Sequence, residues 1–230
     1  MNIDFRRLSN ALGFAIVGAV LLAALFASLI APHDPYLQDL GHRIVPPFWM
    51  EGGTPAHLLG TDQLGRDYLS RLLYGARVSM TIGVLTVLIS GAIGITLGMV
   101  GGFFGGRVDS WVMFAITCRL SIPLVLVALT VVALVGKSVT VIILTLGLLL
   151  WERFAVVART TTMQVSRREY IDAARAAGAS LPTILLREVL PNILPHLVVV
   201  ATLEMAIAIL LEAALSFLGL GVPLRNPHGG

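Results

Sequence analysis

The sequence predicts an all-α polytopic membrane protein, and its composition carries that prediction. Of the 230 residues, 57% are hydrophobic, and the mean hydropathy is +0.89. Only 13% are charged, against about 25% in a typical soluble protein. Several long runs contain no charge, and about 20 apolar residues are enough for a helix to cross a bilayer. Because so few charges cannot cover so much apolar surface, lipid is the expected solvent.

Five spans are predicted from the uncharged runs. The run at 11–31 is longer than the apolar region of a signal peptide, about 7–15 residues, so it is interpreted as a retained first span. The other four are predicted at 78–104, from about 111 to 136, at 138–158 and at about 194–218. Glycines in the second span favour close helix packing in lipid. Pro123 is expected to bend the third span.

The positive side chains predict the orientation of these spans. With the N-terminus inside, nine arginines lie in inner segments, whereas five arginines and one lysine lie in outer segments. Cytoplasmic loops carry the excess of positive charge. We therefore expect the following organisation: cytoplasmic residues 1–10, first span 11–31, external loop 32–77, transmembrane domain 78–222 with a cytoplasmic loop at 159–188, and external tail 223–230.

The inner loop is expected to fold into a short helix, a sharp turn and a second helix. Ser166 and Glu169 have the spacing of a capping box, and Gly178 can end the helix at positive φ. Ser180 is expected to cap the second helix, with Pro182 in its first turn. The alanine-rich first helix is too short to be stable alone. It either docks on a partner protein or lies on the surface as a connector.

The inner loop resembles the cytoplasmic coupling loop of permeases in ATP-binding cassette importers. Asp172-Ala173-Ala174, Gly178 and Leu190-Pro191 stand at the family's spacing, although Asp172 replaces a usual Glu and Glu188 a usual Ile. The resemblance implies that this segment couples the permease to an ATPase. The implied coupling residues are Glu169, Tyr170, Asp172, Ala173, Ala174, Arg175, Gly178, Leu190 and Pro191.

Two further stretches are similar to the C-type permeases of dipeptide, oligopeptide, nickel and glutathione importers. One runs from His57 to Ser79, and the other from Glu212 to Gly221. The first contains two acids among arginines, which are expected to neutralise one another and stiffen the external loop rather than contact substrate. Its motif residues are Gly60, Thr61, Asp62, Gly65, Arg66, Asp67, Ser70, Arg71, Gly75 and Arg77.

Three charged residues lie at span depth, where charge is costly and faces protein or water. These are Arg119, Glu204 and Glu212, for which structural pairing is favoured over substrate binding. The histidines are scattered; His33 beside Asp34 lacks the spacing of a metal site, so no metal is predicted. Gly136-Lys137-Ser138 lacks the upstream glycine of a phosphate-binding loop, so this chain is not expected to bind nucleotide.

Together these resemblances imply a type I importer permease fold and a transport subunit rather than an enzyme. The implied partners are a second homologous permease, two cytoplasmic ATPases that hold ATP and Mg, and an external solute-binding protein, all at a bacterial inner membrane. The cargo would be peptides or a related solute such as nickel or glutathione. Because the family continues into a sixth span, the chain is expected to be truncated. The alternatives are a degenerate permease that serves as a membrane scaffold, or a secondary transporter.

Overall fold

A computed structural model describes residue 15 and residues 18–221 of the chain. Two compact units are present; within the described residues the first ends at Thr81 and the second begins at Ile82. The described residues form helices and connecting loops, with a single isolated β-bridge between Thr61 and Asp67. The predicted all-α class is therefore confirmed.

In the first unit, residues 18–25 are helical, and a turn at Phe26 separates them from α1 (Ala27–Ile30). The predicted first span, 11–31, lies partly outside the described residues. A 3₁₀ turn at Leu40–His42 follows, and the Asp39 carboxylate accepts a hydrogen bond from the Gly41 amide at 3.0 Å. One continuous helix, α2 (Tyr68–Phe104), begins ten residues before the predicted second span at 78–104 and includes the end of the predicted loop 32–77.

The remaining helices follow in chain order in the second unit. They are α3 (Gly106–Leu120), α4 (Leu124–Val135), α5 (Val139–Leu149), α6 (Glu152–Val165), α7 (Glu169–Ala176), α8 (Leu181–Thr183), a π-helical segment (Ile184–Val189) and α9 (Leu190–Phe217).

Pro123 breaks the third predicted span, which confirms the expected bend. Helices α3 and α4 meet at 74° across a break of three residues. Pro123 lies at the N-cap of α4, where its missing N–H leaves no helical hydrogen bond unmade. Three helical stretches in the described residues are long and apolar enough to span a membrane, or four if the bent pair counts as one span.

The segment predicted as the inner loop, 159–188, is largely helical. The fourth apolar stretch continues as a helix to Val165, and the last helical stretch begins at Leu181, directly after Ser180, where the second helix of the loop was expected. Residues 159–165 and 181–188 are therefore helical, and only 166–180 connect the two stretches. Polar side chains had suggested a loop, but they do not prevent a helix from projecting beyond the membrane.

The Gly136-Lys137-Ser138 stretch is a turn between two helices. Gly136 caps α4 at φ +125°, and the Ser138 hydroxyl accepts a hydrogen bond from the Val141 amide at 3.2 Å. The Lys137 ammonium donates to the Gly219 carbonyl at 2.6 Å. These contacts explain the stretch as helix capping.

A glycine stripe on α2 packs directly against the backbone of α6. Gly94, Gly98 and Gly102 are spaced four residues apart and share one helix face. A Cβ at Gly98 would lie 2.5 Å from the Ala155 carbonyl oxygen and 2.7 Å from the Ala158 Cβ. The close approach therefore requires glycine, as predicted from the glycine-rich span.

We predict that Gly98→Ala lowers the stability of the protein, because the backbone of α6 must move to admit a methyl group. Overpacking of this kind costs about 1–3 kcal/mol. Gly91→Ala is the matched control on the same helix, since its Cβ would meet Phe154 at an ordinary 3.7 Å. Thermal unfolding in detergent should show a lower Tm for Gly98→Ala than for Gly91→Ala. Equal Tm values would contradict the close packing.

Candidate functional site

Helix α7 ends at Gly178 in a Schellman motif. The Ala179 amide donates to the Ala174 carbonyl at 3.0 Å, and the Gly178 amide donates to the Arg175 carbonyl at 3.0 Å. These are the two bonds that define the motif. Gly178 has φ +79°, and nothing lies within 4 Å of a Cβ added there. The prediction of a glycine turn is confirmed, and only backbone conformation demands the glycine.

The start of α7 differs from the predicted capping box. The helix begins at Glu169 with Arg168 as N-cap, and no side chain caps it. The Ser166 hydroxyl instead donates to the Met163 carbonyl at 3.2 Å, at the end of α6. The expected Ser166 cap was wrong because the preceding helix runs further than predicted. Ser180 does precede α8, with Pro182 in its first turn, but its hydroxyl pairs with Thr183 at 2.8 Å.

One side chain anchors α7 to the membrane helices. Ile171 is fully buried and belongs to a cluster with Phe154 of α6, Ile184 of the π segment and Ile193 of α9. Ala174 packs on the same cluster. The other predicted coupling residues on the helix face outward: Glu169, Tyr170, Asp172, Ala173 and Arg175 are exposed. A short helix is thus held by its inner face and presents small and charged side chains outward.

Arg175 is held between two neighbours on this surface. Its guanidinium donates to the Asp172 carboxylate at 3.2 Å, and its Cζ lies 4.9 Å from the centroid of the Phe103 ring. The ion pair is exposed, so it is weak and easily exchanged for another partner. Asp172 is the more exposed member, with 68% of its side chain accessible.

Leu190 and Pro191 lie inside a continuous helical stretch rather than at the end of a loop. Pro191 falls in the first turn of α9, directly after the π segment. Proline lacks the N–H that an α-helix needs at that point, and a π turn is a known way for helices to absorb such an irregularity. These two residues are therefore apart from the outward face of α7.

In the loop before α2, Asp62 is the centre of the charge network. Its carboxylate accepts hydrogen bonds from the Leu64 amide at 2.9 Å, the Arg66 amide at 3.0 Å and the Arg66 Nε at 2.8 Å. Arg71 forms a further ion pair with it. Burial favours the neutral acid, but the Arg66 and Leu64 amides and the Arg66 guanidinium hold the pKa of Asp62 below its usual value. The expected neutralisation thus involves Asp62, Arg66 and Arg71.

Close backbone contacts fix the turns around this network. Gly60 and Gly65 have φ of +78° and +73°, and a Cβ at either would collide with the carbonyl of Val45 or Asp39. Thr61 accepts from the Val45 amide at 2.9 Å and donates to the His42 carbonyl. Two further motif residues, Gly75 and Arg77, lie on α2 outside the network of Asp62.

Asp67 is paired with histidines rather than with arginine. Its Oδ1 lies 3.0 Å from His57 Nδ1 and 3.8 Å from His33 Nδ1. Its Oδ2 accepts hydrogen bonds from the Ser70 amide at 2.8 Å and the Ser70 hydroxyl at 2.7 Å. The bond from the amide means that the Asp67 carboxylate caps the N-terminus of α2. Burial opposes ionisation, yet the bonds from His57 and Ser70 keep the pKa of Asp67 below its usual value. This cluster was not predicted from the sequence, in which His33 stands beside Asp34 and far from His57 and Asp67.

The charged groups at span depth are paired within the second unit. Arg119 Nε donates to the Leu149 carbonyl at 2.6 Å, at the C-terminus of α5, and lies 3.9 Å from Glu152. Glu204 is 1% exposed and forms an ion pair at 3.2 Å with Arg153. Glu212 accepts a hydrogen bond from Ser216 at 2.9 Å.

Two partners of the charged residues at span depth, Glu152 and Arg153, were not predicted from the sequence. The bidentate ion pair between Asp109 of α3 and Arg159 of α6 was not predicted either. The paired residues are far apart in the chain. The only feature of the sequence that indicated these pairs is that the residues lie at the edges of uncharged runs.

We predict that Asp62→Asn destabilises the loop before α2 at neutral pH by about 1–3 kcal/mol, since the charge-assisted bonds to Arg66 and Arg71 are lost. The depressed pKa means that the Asp62 carboxylate stabilises the fold above the unfolded value of about 3.9, and that this contribution fades as pH falls through the folded pKa. Thermal unfolding from pH 7 to 3 should therefore show a Tm gap between wild type and variant that narrows in acid.

Asp34→Asn is the control for this prediction, because Asp34 is an exposed acid in the same loop that accepts one hydrogen bond, from the Tyr36 amide. It should leave Tm nearly unchanged. A Tm gap for Asp62→Asn that is absent at pH 7, or that widens in acid, would contradict the assignment.

Comparisons with known proteins agree with these features. Residues 94–230 match the model of the binding-protein-dependent transport system inner membrane component, and residues 9–47 match the N-terminal transmembrane domain of oligopeptide transport permease C. The di/tripeptide transport system permease protein DppC of Pseudomonas aeruginosa is 39% identical, over 95% of this chain and 72% of its own length.

Two further relatives are dipeptide transport system permease proteins DppC. The protein of Haemophilus influenzae is 36% identical over 95% of this chain and 74% of its own length. The protein of Escherichia coli K12 is 40% identical over 98% of this chain and 76% of its own length. The chain thus belongs to the family of inner membrane components of binding-protein-dependent transport systems, as a transport permease subunit and not an enzyme.

Proposed function

We propose that this chain is a permease subunit of an ATP-driven importer and forms half of a translocation path for peptides. The three relatives named above are di/tripeptide or dipeptide permeases, which favours peptides over nickel or glutathione as the cargo. The chain offers no phosphate-binding loop, so two separate ATPases would hold ATP and Mg. A second homologous permease and an external binding protein complete the proposed assembly.

The exposure of α7 and its packing against the apolar helices support this proposal. When a soluble partner displaces an exposed helix whose inner face is packed against membrane helices, that helix can transmit the displacement to them. Its outward alanine lets a partner groove approach the backbone, and its outward charges offer pairing groups. In this mechanism ATP binding draws the two ATPases together, α7 moves with one of them, and Ile171 transmits the displacement to α6 and α9.

The proposed orientation puts α7 in the cytoplasm of a bacterial cell and the polar loop before α2 outside. The arginine distribution supports it. The connector 166–180 lies between two apolar stretches, Val139–Val165 and Leu181–Phe217, so both stretches would enter the membrane from the same side. The proposed domains are those of the sequence analysis, with the coupling loop reduced to this connector.

We predict that Gly178→Val uncouples transport from ATP hydrolysis. A β-branched residue at φ +79° is strained, by about 1–2 kcal/mol in the left-handed region, and no neighbouring atom adds a clash. Gly178→Asn is the control, because Asn tolerates this conformation. In proteoliposomes with the partner subunits, peptide uptake per ATP should fall for Val and persist for Asn. Wild-type coupling in Gly178→Val would refute the role of the turn.

We also predict that Asp172→Lys weakens association with the ATPase on the order of tenfold, or ~1.4 kcal/mol. We propose that Asp172 forms an ion pair with a basic group on the ATPase. A lysine at this position would be repelled by that group and by Arg175. A reciprocal charge swap on the ATPase should restore part of the binding. Glu51→Lys, at an exposed acid in the loop proposed to be external, is the control. If Asp172→Lys co-purifies with the ATPase as wild type does, the proposed docking face is wrong.

A further inference from the structure

We propose that His33, His57 and Asp67 form a binding site for a divalent transition-metal ion of the Zn²⁺ type. One ligand atom from each residue lies within 4.8 Å of the other two. Asp67 Oδ1 is 3.0 Å from His57 Nδ1 and 3.8 Å from His33 Nδ1, and the two imidazole rings lie 4.8 Å apart between centroids. All three residues belong to the first compact unit.

The carboxylate is already oriented for this task. Ser70 donates two hydrogen bonds to Asp67 Oδ2, which leaves Oδ1 facing the histidines. The same hydroxyl accepts from the His33 amide at 3.1 Å, so a single buried serine positions two of the three ligands. Such outer hydrogen bonds are typical supports of metal ligands.

His33 provides an independent observation. Its Nδ1 is buried, and it forms no hydrogen bond with the part of the chain that the structure describes. A buried nitrogen normally has a partner, and a nitrogen that lies 3.8 Å from a carboxylate oxygen and beside a second imidazole ring is suited to a cation. The ring as a whole is partly exposed, so an ion can reach it.

The donor set selects the class of ion. Imidazole nitrogen with one carboxylate oxygen suits Zn²⁺ and its neighbours rather than Ca²⁺ or Mg²⁺, which prefer oxygen. Bonds of about 2.0–2.2 Å in a tetrahedron separate the ligands by about 3.3 Å. The two distances from Asp67 Oδ1 to the histidine nitrogens, 3.0 and 3.8 Å, are close to that value, and the two histidine ligand atoms, which lie within 4.8 Å of each other, would move together on binding. A cavity of about 260 Å³ beside them, also lined by Asp39 and His42, leaves room for a water as a fourth ligand.

Binding would tie together three distant parts of the loop. His33 lies near its start, His57 in its middle, and Asp67 at the N-terminus of α2. The His57–Asp67 hydrogen bond would be replaced by two metal bonds, with release of the shared proton. The ion would act as a clip that holds the loop on α2, independently of the transport function proposed above.

Zinc titration of the full chain tests this assignment. The chain is purified in detergent with a tag that lacks histidine, in a Cys118→Ser background because Cys118 is a free, exposed thiol. After chelator treatment, calorimetry should show one saturable Zn²⁺ per chain, and Zn²⁺ should raise Tm. His33→Gln should lower the affinity at least about tenfold while leaving the metal-free Tm nearly unchanged, since His33 Nδ1 makes no hydrogen bond with the residues that the structure describes.

Two controls and one direct readout complete the test. His42→Gln, in the same cavity but paired with Asp39 at 2.7 Å, and His196→Gln, exposed on α9, should bind Zn²⁺ as wild type does. X-ray absorption of the wild-type Zn²⁺ complex should show two imidazole ligands, and it does not depend on the folding of any variant. No saturable binding, full affinity in His33→Gln, an equal loss in His42→Gln, or a shell without imidazole would each overturn the site.

Discussion

The burial of Ile171 is the interaction on which the arrangement of the connector depends. A helix of eight residues is unstable by itself in water, and burial of one isoleucine contributes about 1.5–3 kcal/mol. This side chain is the only one of α7 that is fully buried among the described residues. Without it, the exposed face of α7 would have no fixed position relative to the apolar stretches on either side.

The cluster around Ile171 extends this attachment through the second unit. Met99 of α2, Phe154 and Ala158 of α6, and Leu197 of α9 belong to the same buried group. The glycine stripe of α2 brings its backbone against α6, and the ion pair of Asp109 with Arg159 joins α3 to α6. Helix α6 is therefore the common neighbour of α2, α3 and α9. In the proposed mechanism, a displacement at α7 would reach these three helices through contacts that are already closely packed.

Local chemistry predicted some of this structure and long-range packing decided the rest. The turn at Gly178, the early proline of α8 and the bend at Pro123 each follow from the backbone limits of one residue, so the sequence was sufficient. The Ser166 cap was wrong because the length of α6 depends on its packing against α2. The predicted loop at 159–188 has helical residues at both ends, since helices can project beyond their apolar cores.

The clusters of the candidate sites were harder to predict because their members are distant in sequence. Asp67 was grouped with arginines on the basis of adjacency, yet the fold directs it to His57 and His33. Glu152 and Arg153 each sit beside an apolar run, and only the crossing of α3, α6 and α9 assigns Arg119 to the first and Glu204 to the second. No residue spacing within one helix encodes such pairs.

The most direct test of the proposed role of Ile171 is the coupling ratio, which is the amount of peptide transported per ATP hydrolysed. It is measured for Ile171→Ala in the reconstituted complex. Loss of the anchor should lower this ratio several-fold while the ATPase still co-purifies, because the variant keeps every outward side chain of α7 that is proposed to contact the ATPase. Leu186→Ala, which removes an exposed leucine from the π segment, should keep the wild-type ratio. A wild-type ratio for Ile171→Ala would contradict the claim that this side chain transmits the movement of α7 to the membrane helices.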